Sequence, residues 1–291
     1  MQKKLKKVKD NNLGRLMGLS ITSFLLFGFL LLACNKDDEI KPRGNSQAIP
    51  IYNQAYIENY IADNIDDIIS EAKNAYVLVD PFMQGVAEKI PAIKANNNQV
   101  GGYISIGTGE DWRDDFDLLQ PFLVSKQWNE WDGEFFVKET TTGIIPIMKK
   151  RIDKLANWGC DWVEFDNMDW AFDDENRNKY GFTVTEEEAI SYYQELCDYA
   201  HSKGIKCMAK NDVVEADNFD GILYESFPND KDWWDHAVAQ KFLDSGKLVI
   251  INHYNEPQPN KVYTEYMRLY NEGISYICES KKEKKYIHYN Q

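Results

Sequence analysis

The sequence is poor in the residues that most often bind metals, since its 291 residues include only 4 histidines and 5 cysteines. No cysteine and histidine spacing resembles a zinc site, and so few histidines do not favour a multi-histidine metal centre. Basic residues are also scarce, with 33 Lys+Arg against 47 Asp+Glu. Because nucleic acid binds basic surfaces, we expect neither a metal ion nor a nucleic-acid partner.

The first 33 residues have the organisation of a secretion signal. Six basic residues among the first 15 precede an apolar run from Leu16 to Ala33. The run ends in Leu31-Leu32-Ala33-Cys34, which resembles the bacterial lipobox and implies cleavage before Cys34 and lipidation of its thiol. A retained anchor helix is the alternative, because an apolar run of this length can span a bilayer.

Residues 34–50 are expected to form a lipidated cysteine and a flexible tether, since they contain Pro42, Gly44 and Pro50 and few apolar groups. The acidic segment Asn35–Glu39 resembles the surface-export tag of Bacteroidetes lipoproteins, and an ordinary solvated tether is the alternative. Two or more acyl chains on Cys34 would hold the protein stably on a membrane. The expected location is therefore the outer membrane of a bacterial cell envelope, and display on the outer cell surface is one of the two orientations that such an anchor allows.

Cleavage would leave a strongly acidic chain. Without the six basic residues and one acidic residue of the first 33, the chain has 27 Lys+Arg and 46 Asp+Glu, a net charge of −19. Such a field would attract a cationic substrate, although acidity also serves solubility. The remaining residues, 51–291, are expected to form a single α/β barrel domain.

Strand and helix patterns alternate along this domain. The clearest helical pattern begins at Thr185, which can form a capping box with Glu188, and stops at Gly204. A second helical pattern runs from Ile144 to Gly159. The segment 210–220 between two predicted strands is too short for a full helix, so we expect an irregular crossover there. Apolar strands alternating with amphipathic helices predict a parallel sheet covered by helices, as a (β/α)8 barrel. The eight predicted strands are Tyr76–Val79, Val100–Ile106, Phe135–Val137, Trp162–Phe165, Ile205–Ala209, Gly221–Tyr224, Leu248–Ile251 and Ile274–Cys278.

Polar residues stand where these strands end. The stretch Asp161–Trp170 contains a strand followed by Asp166, Asn167 and Asp169, which are poor strand residues. In a barrel the carboxyl ends of the strands form the active-site face, so this convergence predicts a ligand crevice. Other strand ends carry Asp80, Ser105 with Gly107, Lys210 with Asn211, Glu225, and Asn252 to Tyr254.

Several ordered motifs together resemble one enzyme family. They are Gly102–Gly107 followed by Glu110–Arg113, then Trp131–Glu134, Glu164–Asp169, Lys210–Asn211 and Tyr224–Glu225. In this order they resemble glycoside hydrolase family 114, the endo-α-1,4-polygalactosaminidase family, from about Tyr76 to Tyr254. The sequence departs from the family pattern at Thr108-Gly109, which replaces a more acidic stretch, and at His253, which replaces a glutamate.

The resemblance implies a (β/α)8 barrel that cleaves an α-linked, galactosamine-rich polysaccharide internally, with Asp166 and Glu225 as the catalytic pair. Glycoside hydrolysis uses one carboxyl group as acid and another as nucleophile or base. Lys210 beside Asp166 would stabilise its charge and suit a nucleophile, and apolar neighbours would suit Glu225 as the acid/base. Two carboxylates suffice for this chemistry, so we expect no metal and no organic cofactor, and a monomer acting on an amino-sugar polymer.

The other site candidates each have a structural alternative. Asp80 either binds a sugar hydroxyl or caps a helix, and Tyr103 either reaches substrate or packs in the barrel. Glu110 and Arg113 are expected to form an ion pair that fixes a loop. Tryptophans such as Trp112 provide platforms for sugars, although packing is the default for each of them. The candidate substrate-binding residues are Asp80, Tyr103, Ser105, Asn167, Asp169, Lys210, Asn211 and Tyr254.

Four cysteines follow Cys34, namely Cys160, Cys197, Cys207 and Cys278. Export permits disulfides, but the helix and strand patterns around these residues favour free thiols in the core.

Two further functions stay open from the sequence. One is a noncatalytic glycan-binding lipoprotein that keeps the barrel without turnover. The other is a hydrolase of a different α-glycan, such as an α-galactoside, which His253 and the altered Thr108-Gly109 loop leave open.

Overall fold

The computed structural model of the chain describes residues 48–56, 62–211, 214–228, 231, 233–280 and 282–291. These residues belong to one compact unit of the chain, Arg43–Gln291. The predicted signal peptide, Cys34 and the tether up to residue 47 lie outside the described residues. Within the part that is described, no helix is both long enough and apolar enough to cross a membrane.

The main sheet of the described chain has nine strands in the order β1-β2-β3-β6-β7-β8-β9-β10-β11. Eight are parallel, and β11 runs antiparallel to β10. The sheet is nearly closed, because the Ile49 N–H donates to Ser275 Oγ at 2.9 Å and β1 contacts both β10 and β11. The predicted (β/α)8 barrel class is confirmed. The strands are β1 (Ile51–Asn53), β2 (Tyr76–Val79), β3 (Gln99–Ser105), β4 (Thr108–Glu110), β5 (Glu134–Phe136), β6 (Trp162–Asp166), β7 (Lys206–Lys210), β8 (Gly221–Ser226), β9 (Leu248–Tyr254), β10 (Ser275–Ser280) and β11 (Lys285–His288).

One predicted barrel strand, Phe135–Val137, is wrong. The corresponding strand β5 pairs antiparallel with β4 in a separate two-stranded sheet, and Phe136 packs against Trp128 and Tyr180. The eighth parallel position in the barrel is taken by β1, which the sequence analysis did not predict as a strand. The apolar triplet Phe135–Val137 could pair in either sheet, so its local pattern did not identify its partner strand.

The helices cover the outer face of the sheet. The predicted capping box is present in α6, where Thr185 and Glu188 bond reciprocally, and α4 ends at Gly159 with a φ of 87°. Between β7 and β8 the described residues contain turns but no helix, as predicted for this short crossover. The helices are α1 (Ile65–Glu71), α2 (Ile90–Lys94), α3 (Phe116–Leu119), α4 (Ile145–Trp158), α5 (Asp174–Tyr180), α6 (Glu186–Ser202), α7 (His236–Asp244) and α8 (Pro259–Leu269).

Alternation along the strands separates two apolar clusters. The larger lies between sheet and helices and includes Val77 and Val79, whereas the smaller includes the inward residues Leu78, Met208 and Leu223. Side chains two positions apart on a strand point to the same face. In three strands the second residue after the inward one is polar and also points into the barrel. This relation places Asp80 after Leu78, Lys210 after Met208 and Glu225 after Leu223, at the carboxyl end of the barrel.

The four described cysteines are buried and free, as expected for core thiols. The four are Cys160, Cys197, Cys207 and Cys278.

Candidate active site

A buried lysine joins the two predicted catalytic carboxylates. Lys210 Nζ lies 2.8 Å from Asp166 Oδ1 and 3.3 Å from Glu225 Oε1. The lysine side chain is 3% exposed, whereas those of Asp166 and Glu225 are 17% and 24% exposed. The two carboxylates therefore face solvent at the carboxyl end of the barrel, with the lysine beneath them.

Three donors surround the Asp166 carboxylate. The Tyr103 hydroxyl donates to Oδ2 at 2.9 Å, and the backbone N–H of Asn167 donates to Oδ1 at 2.8 Å. The Lys210 ammonium is the third donor. Hydrogen bonds and an opposite charge both favour the ionised form of a carboxyl group. The three contacts thus fix the orientation of the Asp166 carboxylate, whose remaining surface is open to solvent.

The loop after β6 is fixed against the loop after β3. Asn167 has a φ of 56°, a left-handed conformation that asparagine tolerates better than most residues. Its side-chain amide donates to Ser105 Oγ at 3.0 Å and to Thr108 Oγ1 at 3.2 Å. Gly107 permits this approach, because a Cβ at that position would collide with the backbone oxygen of Asn167. The orientation of Asp166 therefore depends on packing between the two loops.

Glu225 has its own set of donors. The Tyr254 hydroxyl donates to Oε1 at 2.7 Å, and Asn211 Nδ2 donates to Oε2 at 3.2 Å. Asn211 also accepts the Glu225 backbone N–H at 3.0 Å, and it adopts a φ of 64° directly after β7. The exposed ring of Phe227 stacks on Tyr254, with 4.8 Å between the ring centroids.

These surroundings differ from the apolar site expected for Glu225. Its neighbour Tyr224 lies on the opposite face of the strand and stacks on buried Trp234 in the outer cluster, 5.0 Å between centroids. Successive strand residues point to opposite faces, so apolar sequence neighbours did not indicate an apolar environment.

A third carboxyl group lies below the pair. Glu164 is fully buried, and its Oε1 accepts the Tyr56 hydroxyl and lies 3.9 Å from Lys210 Nζ. Its Oε2 has no hydrogen-bond partner among the described residues. Burial raises the pKa of Glu164 to about 7, although Lys210 and Tyr56 act in the opposite direction. At neutral pH this group therefore carries a proton for part of the time.

Lys210 keeps its charge in this environment. Burial alone would lower its pKa, but the carboxylates of Asp166, Glu225 and Glu164 outweigh burial and raise the pKa above its ordinary value. The Tyr56 ring adds a cation–π contact, with Nζ 4.1 Å from the ring centroid. The lysine is therefore a permanent counter-charge for the site.

Asp80 belongs to a buried ion network rather than to an open surface. Arg113 donates to Asp80 at 2.8 Å and to Glu110 at 2.7 Å, which includes the predicted Glu110–Arg113 pair. Arg151 lies 3.5 Å from Glu110 and binds Asp115 at 2.7 Å. Burial raises the pKa of Glu110 in spite of the two arginines.

The remaining predicted site residues differ in exposure. Ser105 is fully buried and shares a 2.6 Å hydrogen bond with Thr108. Thr108 also donates to Glu134 Oε2 at 2.6 Å, and burial raises the pKa of Glu134 to about 7. Asp169 is half-buried and precedes a short 3-10 helix, whose Phe172 N–H donates to its carbonyl at 3.0 Å.

The tryptophans divide into two groups. Trp170 and Trp234 are buried in the core, and Trp233 donates to the backbone oxygen of Glu225 at 2.7 Å. Trp112 and Trp131 are 55% and 48% exposed and lie in the connection between the paired strands β4 and β5. Packing therefore accounts for the first group, and the second remains available to a ligand.

The structure brings four residues to the site that were not predicted as site residues from the sequence, namely Tyr56, Thr108, Glu134 and Glu164, although Glu134 and Glu164 lie in the family motifs. Glu164 had a local signal, because it lies two positions before Asp166 and must share its face. Tyr56 had none, since it follows the three-residue strand that was not predicted. Thr108 and Glu134 meet only when β4 pairs with β5, which local patterns did not indicate.

Two solved structures share this fold. Ega3 from Aspergillus fumigatus, solved in complex with galactosamine, matches with a TM-score of 0.63 and 20% identity over 83% of this chain and 94% of that chain. The glycoside hydrolase domain of PelA from Pseudomonas aeruginosa matches with a TM-score of 0.59 and 14% identity over 84% of this chain and 98% of that chain. No curated protein sequence is significantly similar to the chain.

The family model "Glycoside-hydrolase family GH114" matches residues 59–290, which include every strand of the main sheet except β1 and every residue of the candidate site except Tyr56. Two solvent-facing carboxylates held by one buried cation are the groups that glycoside hydrolysis requires. The chain therefore belongs to glycoside hydrolase family GH114.

Proposed function

We propose that the protein is an endo-acting glycosidase that cleaves α-1,4-linked, galactosamine-rich polysaccharide with Asp166 and Glu225 as its catalytic pair. The observation that carries the proposal is the contact of both carboxylates with Lys210 at the open end of the barrel. Membership of the family supports the reaction class, and the galactosamine bound to Ega3 supports the sugar.

In the proposed reaction Asp166 is the nucleophile and Glu225 the acid/base. Asp166 forms a bond to the anomeric carbon while Glu225 gives its proton to the leaving glycosidic oxygen, and the C–O bond breaks. Water then attacks the glycosyl-enzyme and passes a proton to Glu225, which releases the sugar and regenerates Asp166. The three donors around Asp166 suit a group that must begin each cycle as an anion.

The upper limit on the distance between the two oxygens that face Lys210 lies below the inverting range and so favours retention of the anomeric configuration. Because Lys210 Nζ lies 2.8 Å from Asp166 Oδ1 and 3.3 Å from Glu225 Oε1, these oxygens are no farther apart than the sum, about 6.1 Å. Retaining enzymes have separations of about 5–5.5 Å, whereas inverting enzymes need about 6.5–9.5 Å to admit a water molecule.

An amino-sugar polymer also suits the charge of the chain. Partly deacetylated galactosamine polymers are cationic, and the formal net charge of the whole chain is −14. Long-range attraction of this kind raises association rates at low ionic strength. In the same proposal a lipid on Cys34 holds the enzyme at the outer membrane, where it meets the polymer as a monomer.

The direct experiment is hydrolysis of partly deacetylated α-1,4-linked galactosaminogalactan, with products sized by mass spectrometry. We expect short oligosaccharides from the wild type, none from Asp166→Asn, and normal products from Glu187→Gln, an exposed carboxylate on α6 that serves as a matched control.

Other results would favour the other two functions. Tight polymer binding without products would favour a noncatalytic glycan-binding lipoprotein. Cleavage of another α-galactoside-type glycan, with galactosaminogalactan left intact, would assign a different substrate to the same carboxylates.

A further inference from the structure

Three metal-ligand side chains meet at the end of the barrel opposite the catalytic carboxylates, and Asp220 Oδ2 lies 2.8 Å from one of them, at His201 Nε2. Cys197 and His201 lie one turn apart near the end of α6, Cys207 is the second residue of β7, and Asp220 directly precedes β8. The ligand atoms of Cys197, His201 and Cys207 all lie within 4.8 Å of one another. Because the amino ends of β7 and β8 are far from the active-site face, this cluster is separate from the glycosidase site.

The fold, rather than the spacing, assembles the cluster. Cys197 and His201 are four residues apart on a helix and share a face. Cys207 joins them because α6 returns directly into β7, and its backbone N–H donates to Asp220 Oδ2 at 2.9 Å. No zinc site was expected from the sequence, because the spacing of Cys197, His201 and Cys207 along the chain does not resemble that of a known zinc-binding motif.

The distances between these atoms approach those of a tetrahedral zinc site. Zn–S bonds of about 2.3 Å and Zn–N bonds of about 2.05 Å separate neighbouring S and N ligands by about 3.6 Å. Cys197 Sγ lies 3.9 Å from His201 Nε2. Asp220 Oδ2 lies 2.8 Å from the same nitrogen, a hydrogen bond that would lengthen by a few tenths of an ångström around an ion.

We infer that Cys197, His201 and Cys207, with Asp220 as the fourth ligand, form a structural Zn²⁺ site. Two sulfur ligands and an imidazole are a donor set that zinc prefers over magnesium or calcium. The two thiols are buried, whereas the side chain of His201 is 36% exposed and provides the entry path. A bound ion joins the end of α6 to the amino ends of β7 and β8.

Binding replaces protons with the metal. Zn²⁺ forms two Zn–S bonds, and the two thiol protons leave to solvent. In this structure the Cys207 thiol donates to the Cys197 carbonyl at 3.5 Å. Because zinc displaces the thiol protons, the affinity of the site for zinc rises with pH.

The test uses the full chain purified in detergent, reduced, and freed of metal with a chelator. Co²⁺ serves as the probe, because a thiolate–cobalt bond gives a charge-transfer absorption and tetrahedral cobalt gives intense visible bands. We expect one bound Co²⁺ with both signals, displacement by Zn²⁺, and a rise in Tm with Zn²⁺. Catalytic turnover on glycan is not part of the readout, so failure of the proposed glycosidase would not affect the result.

Matched variants identify the site. Cys207→Ser and the more exposed His201→Ala should weaken Co²⁺ binding by more than the roughly 10- to 100-fold that loss of an outer partner causes. Cys160→Ser and Cys278→Ser remove buried thiols outside the cluster and should leave binding unchanged. His201→Ala keeps the test valid if Cys207→Ser does not fold.

Three results would overturn the inference. The first is wild-type protein with free thiols but no charge-transfer band. The second is full Co²⁺ binding in His201→Ala and Cys207→Ser, which would place the ion elsewhere. The third is a Cys197–Cys207 disulfide that persists under reductant and prevents binding.

Discussion

At the scale of single residues, Lys210 on β7 links carboxyl groups from the two neighbouring strands, β6 and β8. It contacts Asp166 and Glu164 of β6 and Glu225 of β8 from its own position at the end of β7. One buried cation thus serves three carboxyl groups, and removing it would leave buried negative charge uncompensated. The same contacts hold the two catalytic candidates close together.

Replacing either carboxylate should separate their roles. Asp166→Asn and Glu225→Gln should each lower kcat on the polymer by about 10²–10⁴-fold, the usual value of a positioned catalytic group. A substrate with a good leaving group needs no protonation, so Glu225→Gln should keep the kcat/KM of an activated aryl glycoside, which reports formation of the glycosyl-enzyme, whereas Asp166→Asn should lose it. Steady-state kinetics on both substrates, with circular dichroism to verify folding, check this; the opposite pattern would exchange the two roles.

The residues most open to sequence reasoning were those at strand ends. Asp166, Lys210 and Glu225 follow strand patterns closely, so their convergence could be predicted from topology. The partners of Asp80 could not, because its arginine lies on a loop whose path depends on β4 and β5. The full burial of Ser105 could not be predicted either, because it arises from contacts with Thr108 and Asn167.

At the scale of elements, the antiparallel β4–β5 pair is the feature that most alters the expected barrel. It packs the loop after β3 against Asn167 and carries Glu134 next to Thr108. Helices α4 and α6 were predicted well because their caps are local signals in the sequence. β5 was assigned to the wrong sheet because strand pairing is a long-range property.

Gly107→Ala should damage catalysis more than folding. The added Cβ meets the Asn167 backbone oxygen, so the loop that positions Asp166 must move. A displacement near 1 Å can cost about 100-fold in rate, and we expect a loss of that order in kcat. Gly159→Ala is the control. Its φ of 87° is strained for alanine and costs about 1–2 kcal/mol of stability, but the added Cβ meets no atom within 4 Å, so no loop has to move. Equal turnover in the two variants would contradict this account of the loop.

The two exposed tryptophans in the connection between β4 and β5 should bind substrate. Trp112→Ala and Trp131→Ala should each raise KM for the polymer roughly 3- to 10-fold with little change in kcat, as expected for a lost aromatic contact of about 0.5–1.5 kcal/mol. Leu269→Ala, an exposed apolar residue at the end of α8, provides the control. If KM is unchanged in both tryptophan variants, the platform role is excluded.

At the scale of the whole molecule, buried acids should make stability depend on pH. Burial raises the pKa of Glu134 and of Glu164 from 4.5 to about 7 in the folded chain. Between these values the folded state binds more protons than the unfolded state, so stability falls as pH rises from about 4.5 to 7. Each group contributes at most roughly 3 kcal/mol to this change.

Glutamine variants isolate this effect. Denaturant unfolding of Glu134→Gln and Glu164→Gln should lose less stability between pH 5 and 8 than wild type, whereas exposed Glu187→Gln should follow wild type. Parallel profiles for all four proteins would show that the two buried acids do not titrate in this window.

The whole account depends on two carboxylates that act together on a glycosidic bond with a short separation. Proton NMR of the first products from α-1,4-linked galactosaminogalactan reports both cleavage and anomeric configuration in one measurement. The account predicts new reducing ends that first appear as the α-anomer, from wild type and not from Asp166→Asn. Initial release of the β-anomer, or α-anomer formation that survives Asp166→Asn, would contradict it.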